Sequence, residues 1–110
     1  MLLGLFRARG RITLSGALTT TSASSPVTSA SRTITGSGRL KFTTVFTDSG
    51  APEYSYAAGA WTTITEGLEI SVTNGNTIAV RASLPTVLDM ASFGLYGNNK
   101  LVEAVVLTKS

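Results

Sequence analysis

The sequence predicts an all-β domain, specifically an antiparallel β-sandwich of seven to nine short strands, and three observations point there. Apolar residues alternate with polar ones at period two along most of the chain, turn residues recur every eight to twelve positions, and no stretch supports a convincing helix. A small closed barrel is the second candidate. The clearest stretch is Leu68–Ser83. Leu68, Ile70 and Val72 alternate with Glu69, Ser71 and Thr73, and the pattern resumes after Asn74-Gly75 with Ile78, Val80 and Ala82. Alternation on both sides of Asn-Gly predicts a β-hairpin, because the tight hairpin turn needs positive φ at both central residues and Asn and Gly tolerate it best. Asn76 leaves the register open by one residue.

In chain order, residues 1–11 combine an apolar cluster (Leu2, Leu3, Leu5, Phe6) with Arg7, Arg9 and Arg11. The charge follows the apolar run, and the run is too short for a secretory signal or a membrane span. An N-terminal arm is expected. Residues 12–32 hold a first strand, with Ile12, Leu14 and Leu18 in phase, and then a Ser/Thr-rich extended connection around Pro26. Pro26 argues against a central strand there, and a new strand is expected near Val27 or Arg32. Residues 33–110 form the sandwich body. Within it, residues 38–46 read as a strand with Leu40, Phe42 and Phe46 in phase on one face and Lys41, Thr43 and Val45 opposite. Residues 47–52 are a turn cluster of Asp, Ser, Gly and Pro. Tyr54 and Tyr56 share one face of the next strand, and Gly59 marks a tight turn before a short strand at residues 61–64. Residues 84–97 predict a loop or single turn followed by a strand at Ser92–Tyr96, since Pro85, Gly94 and Gly97 leave no room for a long helix. Gly97-Asn98-Asn99-Lys100 is a second turn signal. Residues 101–109, apolar on both faces apart from Glu103, are either central in the sandwich or covered by a partner.

Composition removes most catalytic chemistry. At 110 residues the chain is one domain with no Cys and no His, which excludes thiol redox chemistry, the usual zinc sites and the Ser-His-Asp and Cys-His arrangements. Charged residues make up 14%, against about a quarter in an average soluble domain, while Ser and Thr number 13 and 17. Such a surface suits wide contact with other proteins. The net charge of +3 is uneven: residues 1–41 hold six basic residues and no acid, and residues 42–110 hold three basic and six acidic. The basic end could keep a terminus soluble or dock on an acidic partner; nucleic acid is the least favoured reading. The six carboxylates are scattered, and only Glu66 and Glu69 are close, at a position that reads as a solvated turn. Tyr54, Tyr56 and Trp61 are expected to fill the core or pack across strands, with stacking on a sugar or a partner as the alternative. Neither catalytic residues nor a cofactor or metal site are expected.

One stretch carries a resemblance. Tyr54-Ser55, Gly59-x-Trp61, Val72-Thr73-Asn74-Gly75-Asn76, Ile78, Val80 and Arg81 are similar to the pattern of small immunoglobulin-like accessory domains in tailed-bacteriophage virion proteins. Ala57 and Ala58 depart from the Asn and Gly of that pattern, and Asn76 replaces its acidic residue. The match covers about 30 of the 110 residues. It implies an immunoglobulin-like fold and a non-enzymatic virion protein. A capsid decoration (cement) protein binding the major capsid protein across capsomers is expected first, on the capsid exterior and as a homo-oligomer with a trimer favoured. A tail, baseplate or fibre component is the alternative, and a carbohydrate- or receptor-binding module the third reading. No membrane association is expected. On this view the partner-binding residues are Leu2, Leu3, Leu5, Phe6, Arg7, Arg9 and Arg11, with Tyr54, Tyr56 and Trp61 as further contacts to a glycan or partner.

Overall fold

The structure, a computed structural model, describes residues 10–110 as eleven strands and no helix. They are β1 (Thr13–Leu14), β2 (Thr20–Ser22), β3 (Val27–Thr28), β4 (Arg32–Thr35), β5 (Gly38–Thr47), β6 (Glu53–Tyr56), β7 (Thr62–Thr63), β8 (Glu69–Val72), β9 (Thr77–Ala82), β10 (Met90–Gly97) and β11 (Lys100–Lys109). Two sheets face each other: one in the order β1-β4-β9-β6-β7, with β3 also on β9, and one in the order β2-β11-β10-β5-β8. The sandwich is therefore mixed rather than purely antiparallel, since β2 runs parallel to β11. The count exceeds nine because the Ser/Thr-rich stretch supplies β2, β3 and the start of β4. These pieces are only two to four residues long. Between β3 and β4 the buried Ser29 takes part in the ladder itself. Its N–H donates to the Val80 carbonyl at 2.8 Å, and its hydroxyl accepts from the Val80 N–H at 2.9 Å.

The Leu68–Ser83 stretch is not a hairpin. β8 pairs with β5 in one sheet, and β9 pairs with β3, β4 and β6 in the other. The turn between them closes with the Asn76 N–H on the Thr73 carbonyl at 3.2 Å, and Gly75 has φ of +95° while Asn74 does not lie in the positive-φ region. One positive φ gives a type II geometry, which splays the flanking strands instead of pairing them. Splaying lets Val72 and Ile78 enter one core from opposite sheets, both buried. The β4–β5 corner crosses between the sheets beside it, and the two corners lock together. Asn74 accepts from the Gly36 N–H at 2.8 Å through its side chain and donates its own N–H to the Ser37 hydroxyl at 2.9 Å. The Tyr56 hydroxyl accepts from the Thr73 N–H and the Asn76 amide, both at 2.8 Å. Burial pushes the Tyr56 phenol up, but donation from Asn76 and Thr73 outweighs it and holds the group below the usual phenol range.

The true two-residue hairpin joins β10 to β11. Asn98 and Asn99 have φ of +49° and +69°, the paired left-handed conformation a type I′ turn requires. The Asn98 side chain also joins three segments, accepting from the Arg39 N–H and donating to the carbonyls of Gly10 and Ser37.

A bulge in β5 overturns one more expectation. Ser92 faces Phe46 while Gly94 faces Thr43, so β5 carries one extra residue, and Thr44 sits at φ +52°. The alternation flips there. Leu40 and Phe42 point into the core, Val45 packs against it, and Phe46 turns outward to solvent. The bulge exposes two consecutive N–H groups, and Glu66 accepts both, from Thr44 at 2.9 Å and Val45 at 2.8 Å. Glu66 is exposed in its turn, as expected, and also clamps the backbone of β5. The donors Val45 and Thr44 hold its carboxyl below the usual range, with Lys41 adding to the effect and burial opposing it. Because the folded pKa is depressed, this contribution is complete above the unfolded value of roughly 4.3 and is lost as pH falls through the lower folded value. Urea titrations between pH 7 and pH 3 should therefore show Glu66→Gln less stable at neutral pH and less sensitive to acid than the parent. Parallel pH profiles for the two proteins would contradict the clamp.

Candidate docking surface

All six carboxylates of the chain serve the backbone or a neighbouring cation. Asp48 accepts from the Met90 N–H at 2.8 Å, Asp89 from Thr86 at 3.0 Å, and Glu66 caps the β5 bulge. Glu53 pairs with Arg81 at 2.8 Å, and Glu69 lies 3.7 Å from Arg39 in an exposed ion pair. Glu103 holds the β1–β2 connection against β11, accepting from the Leu18 N–H, the Thr19 N–H and the Thr19 hydroxyl. These contacts use the acids as structural ligands; Asp48 and Asp89 flank Met90, and among the described residues no three acids gather to hold a metal ion.

The three aromatic candidates do not share a face. Tyr54 and Tyr56 lie on the core side of β6. Tyr54 stacks on Phe42 with ring centroids 5.6 Å apart. Trp61 does not fill the core. It lies on the outer surface of the sheet containing β9, where the Arg81 guanidinium sits 4.3 Å over its ring and also pairs with Glu53. Arg81 alternates with buried Val80 and Ala82, so it must point outward, and the indole follows it. A platform for a sugar ring built from all three aromatics is therefore not assembled.

The opposite sheet carries a different surface. Among the described residues, the exposed large apolar side chains are Phe46, Val87, Leu88, Tyr96 and Leu101, and all belong to the β2-β11-β10-β5-β8 sheet or the loop entering β10. Its outer face can be followed row by row from the register. Phe46, Ser92 and Val106 lie side by side, then Thr43, Gly94 and Ala104, then Lys41, Tyr96 and Leu101. Across these rows Lys41 is the one charged residue. A bulge in β11 places Leu101 outward, because Tyr96 faces Leu101 while Leu95 faces Glu103, leaving Val102 to turn inward. A shallow groove of about 390 Å³ runs along this face over Met90, Gly94, Tyr96 and Val106. Small residues in the central row open it, since Gly94 has no side chain to fill it.

Two further features sit at the ends of this sheet. At one end the Thr86–Asp89 turn is closed by the Asp89 N–H on the Thr86 carbonyl at 2.9 Å, and Leu88 occupies its third position with φ of +74°. Glycine is the usual residue there, and a left-handed leucine costs about 1–2 kcal/mol. Its side chain is 83% exposed, so no packing within the molecule offsets that cost. At the other end, β2 pairs with β11 only from Leu107 to Lys109, leaving the first half of β11 open toward β1. A groove of about 400 Å³ lies there, lined by Arg11, Ile12, Leu14, Ala17, Leu101 and Val102 among others. Of the expected partner-binding residues, Arg11 lines this groove. Leu2, Leu3, Leu5, Phe6, Arg7 and Arg9 lie outside the described residues.

Phe46 and Leu88 could not be recognised from the sequence as surface residues. The flip at Thr44 hides the first, and the left-handed turn the second. A protein with this fold and face belongs to the all-β sandwich proteins. Searches against protein-family models, curated proteins and solved structures found no match to the chain.

Proposed function

We propose that this chain is a non-enzymatic structural protein of a virion, a capsid decoration protein with an immunoglobulin-like sandwich. One observation carries the reading: the exposed large apolar residues gather on one sheet and its end loop, and the charges of that face, Lys41, Arg39 and Glu69, lie together at its β5–β8 edge. Isolated exposed apolar residues are ordinary, whereas a contiguous patch marks a protein contact. The engagement of all six carboxylates as structural ligands supports a role without acid–base catalysis. Hydroxyls and small side chains between the apolar residues suit a broad contact with a shell surface, repeated many times on a symmetric lattice so that weak contacts sum.

The sheet orders support the immunoglobulin-like part of the proposal. β1-β4-β9-β6 follows the order of strands A, B, E and D in such domains, and β11-β10-β5 that of G, F and C. β8 pairs on the outer side of β5 but follows β6 and β7 in the chain, a departure from the usual sequence of strands.

The test is co-sedimentation with empty head shells and, separately, with tail tubes of a tailed phage in whose genome the chain is encoded. Ala104, exposed in the central row, is the probe because a charge there leaves the core untouched. Binding to shells is expected, with Ala104→Glu weakening it by about tenfold or more. Binding to tubes alone would move the protein to the tail, and shell binding unaffected by Ala104→Glu would remove this face from the reading.

A further inference from the structure

We propose that copies of this chain associate head to tail, the Val87–Leu88 turn of one molecule seating in the groove between β1 and β11 of the next. This rests on the reading of the protein as an assembly component and names a second copy as one of its partners. Three observations single out the turn. The turn presents two adjacent aliphatic side chains, 58% and 83% exposed, at the tip of a loop. The loop is held rigidly, with the Leu88 N–H on the Lys109 carbonyl, the Asp89 N–H on the Thr86 carbonyl and the Asp89 carboxylate on the Thr86 N–H. Leucine in a left-handed position that glycine would occupy without strain is a local rule broken with no gain inside the molecule, and such sites point to a contact made elsewhere.

The groove is the complementary half. Its apolar walls are Leu14, Ala17, Leu101 and Val102 over the buried Ile12, hydroxyls of Thr13 and Thr19 edge it, and at about 400 Å³ it has room for both aliphatic side chains. Charge complementarity selects the same pairing. Asp89 and Asp48 flank the knob beside Lys109, a formal balance of −1, while Arg11 and Lys100 outnumber Glu103 at the groove, a balance of +1. A molecule cannot satisfy its own groove: Lys109, which holds the turn, is eight residues along β11 from Leu101, or roughly 25 Å at the strand rise. The contact joins different surfaces, so it closes into a ring if the rotation between copies allows and otherwise extends as a chain.

The experiment is light scattering on the full chain over a wide range of protein concentration, with two variants that disable opposite halves of the contact. Leu88→Gly removes the knob, and Ala17→Phe fills the groove from an exposed position. Wild type is expected to self-associate, and each variant alone to associate about 10- to 100-fold more weakly. Leu88→Gly should at the same time raise the melting temperature by about 5 °C, because it relieves the left-handed strain; a role confined to stability within one molecule would not couple a more stable fold to a weaker assembly. An equimolar mixture of the two variants is the decisive arm. The knob of the Ala17→Phe chain can enter the groove of the Leu88→Gly chain, so the mixture should recover one-to-one dimers and nothing larger. A monomeric wild type at every concentration overturns the proposal. So does association that persists in either variant, or a mixture that stays monomeric, which would mean a self-complementary contact. Dissociation on deleting residues 1–9 with Leu88→Gly still associated would assign the groove to that segment instead. None of these outcomes depends on shell binding, so the two readings fail separately.

Discussion

Replacing Phe42 with alanine is expected to cost about 3–5 kcal/mol, the largest single-residue effect in this domain. The ring is wholly buried at the centre of the sandwich. It stacks on Tyr54 at 5.6 Å with planes 25° apart, and meets Phe93 edge-on at 5.5 Å and 64°. Three aromatic rings from β5, β6 and β10 thus bridge the two sheets, and removing the middle one loses its transfer energy, both aromatic contacts and the packing around a cavity that cannot close. Small domains keep only about 5–15 kcal/mol in total. Urea unfolding should show a much lower midpoint at an unchanged slope, and the melting temperature should fall by more than about 10 °C. A loss below about 1.5 kcal/mol would mean that the core repacks and that Phe42 does not hold the sheets together.

The second large effect runs the other way. Exchanging Ala57-Ala58 for Asn-Gly should stabilise the domain by about 1–3 kcal/mol. The turn from Tyr56 to Gly59 closes with the Gly59 N–H on the Tyr56 carbonyl at 2.9 Å, and both alanines hold positive φ, 52° and 58°. Their Cβ atoms pay the left-handed penalty twice, while both residues are exposed and gain no burial in return. Asparagine and glycine adopt these angles readily, and the extra freedom of glycine in the unfolded chain returns only about 0.5–1 kcal/mol of the gain. Chemical unfolding of the double variant is the check. A destabilised variant would show that the alanine methyls make contacts of their own.

The alternating segments and the turn residues made much of the fold legible. Leu40 and Phe42, Ile78 and Val80, and Val105 and Leu107 lie in phase and are all buried. The one strand expected near Val27 or Arg32 is two, β3 and β4, and the loop before β10 is a single turn. What period-two reading missed has one physical cause: bulges and left-handed residues change the parity of a strand without changing its composition. The extra residue at Thr44 turned Phe46 outward, and the one at Val102 did the same for Leu101. The acid that makes the first bulge possible, Glu66, stands more than twenty residues further along the chain. The exposed apolar face was therefore invisible as a unit, because its members come from three strands and a loop, and two of them reach it by a register shift.

The two Asn-containing turns separate what local sequence determines from what it does not. That the chain reverses at Asn74-Gly75 and at Asn98-Asn99 follows from the residues alone, since these side chains tolerate left-handed backbone where others resist it. Whether a reversal makes a hairpin or a crossing between sheets does not. Asn98-Asn99 took positive φ at both positions and paired its strands, whereas Asn74-Gly75 took it at one and sent them into opposite sheets. The choice lay with partners distant in sequence: Tyr56, Gly36 and Ser37 bind the Thr73–Asn76 turn, and the apolar faces on either side of it gain more by closing one core from both sheets than by lying next to each other. Sequence by itself determined an all-β chain with little catalytic equipment. The tertiary structure decided which faces are buried, and so which apolar side chains stay exposed.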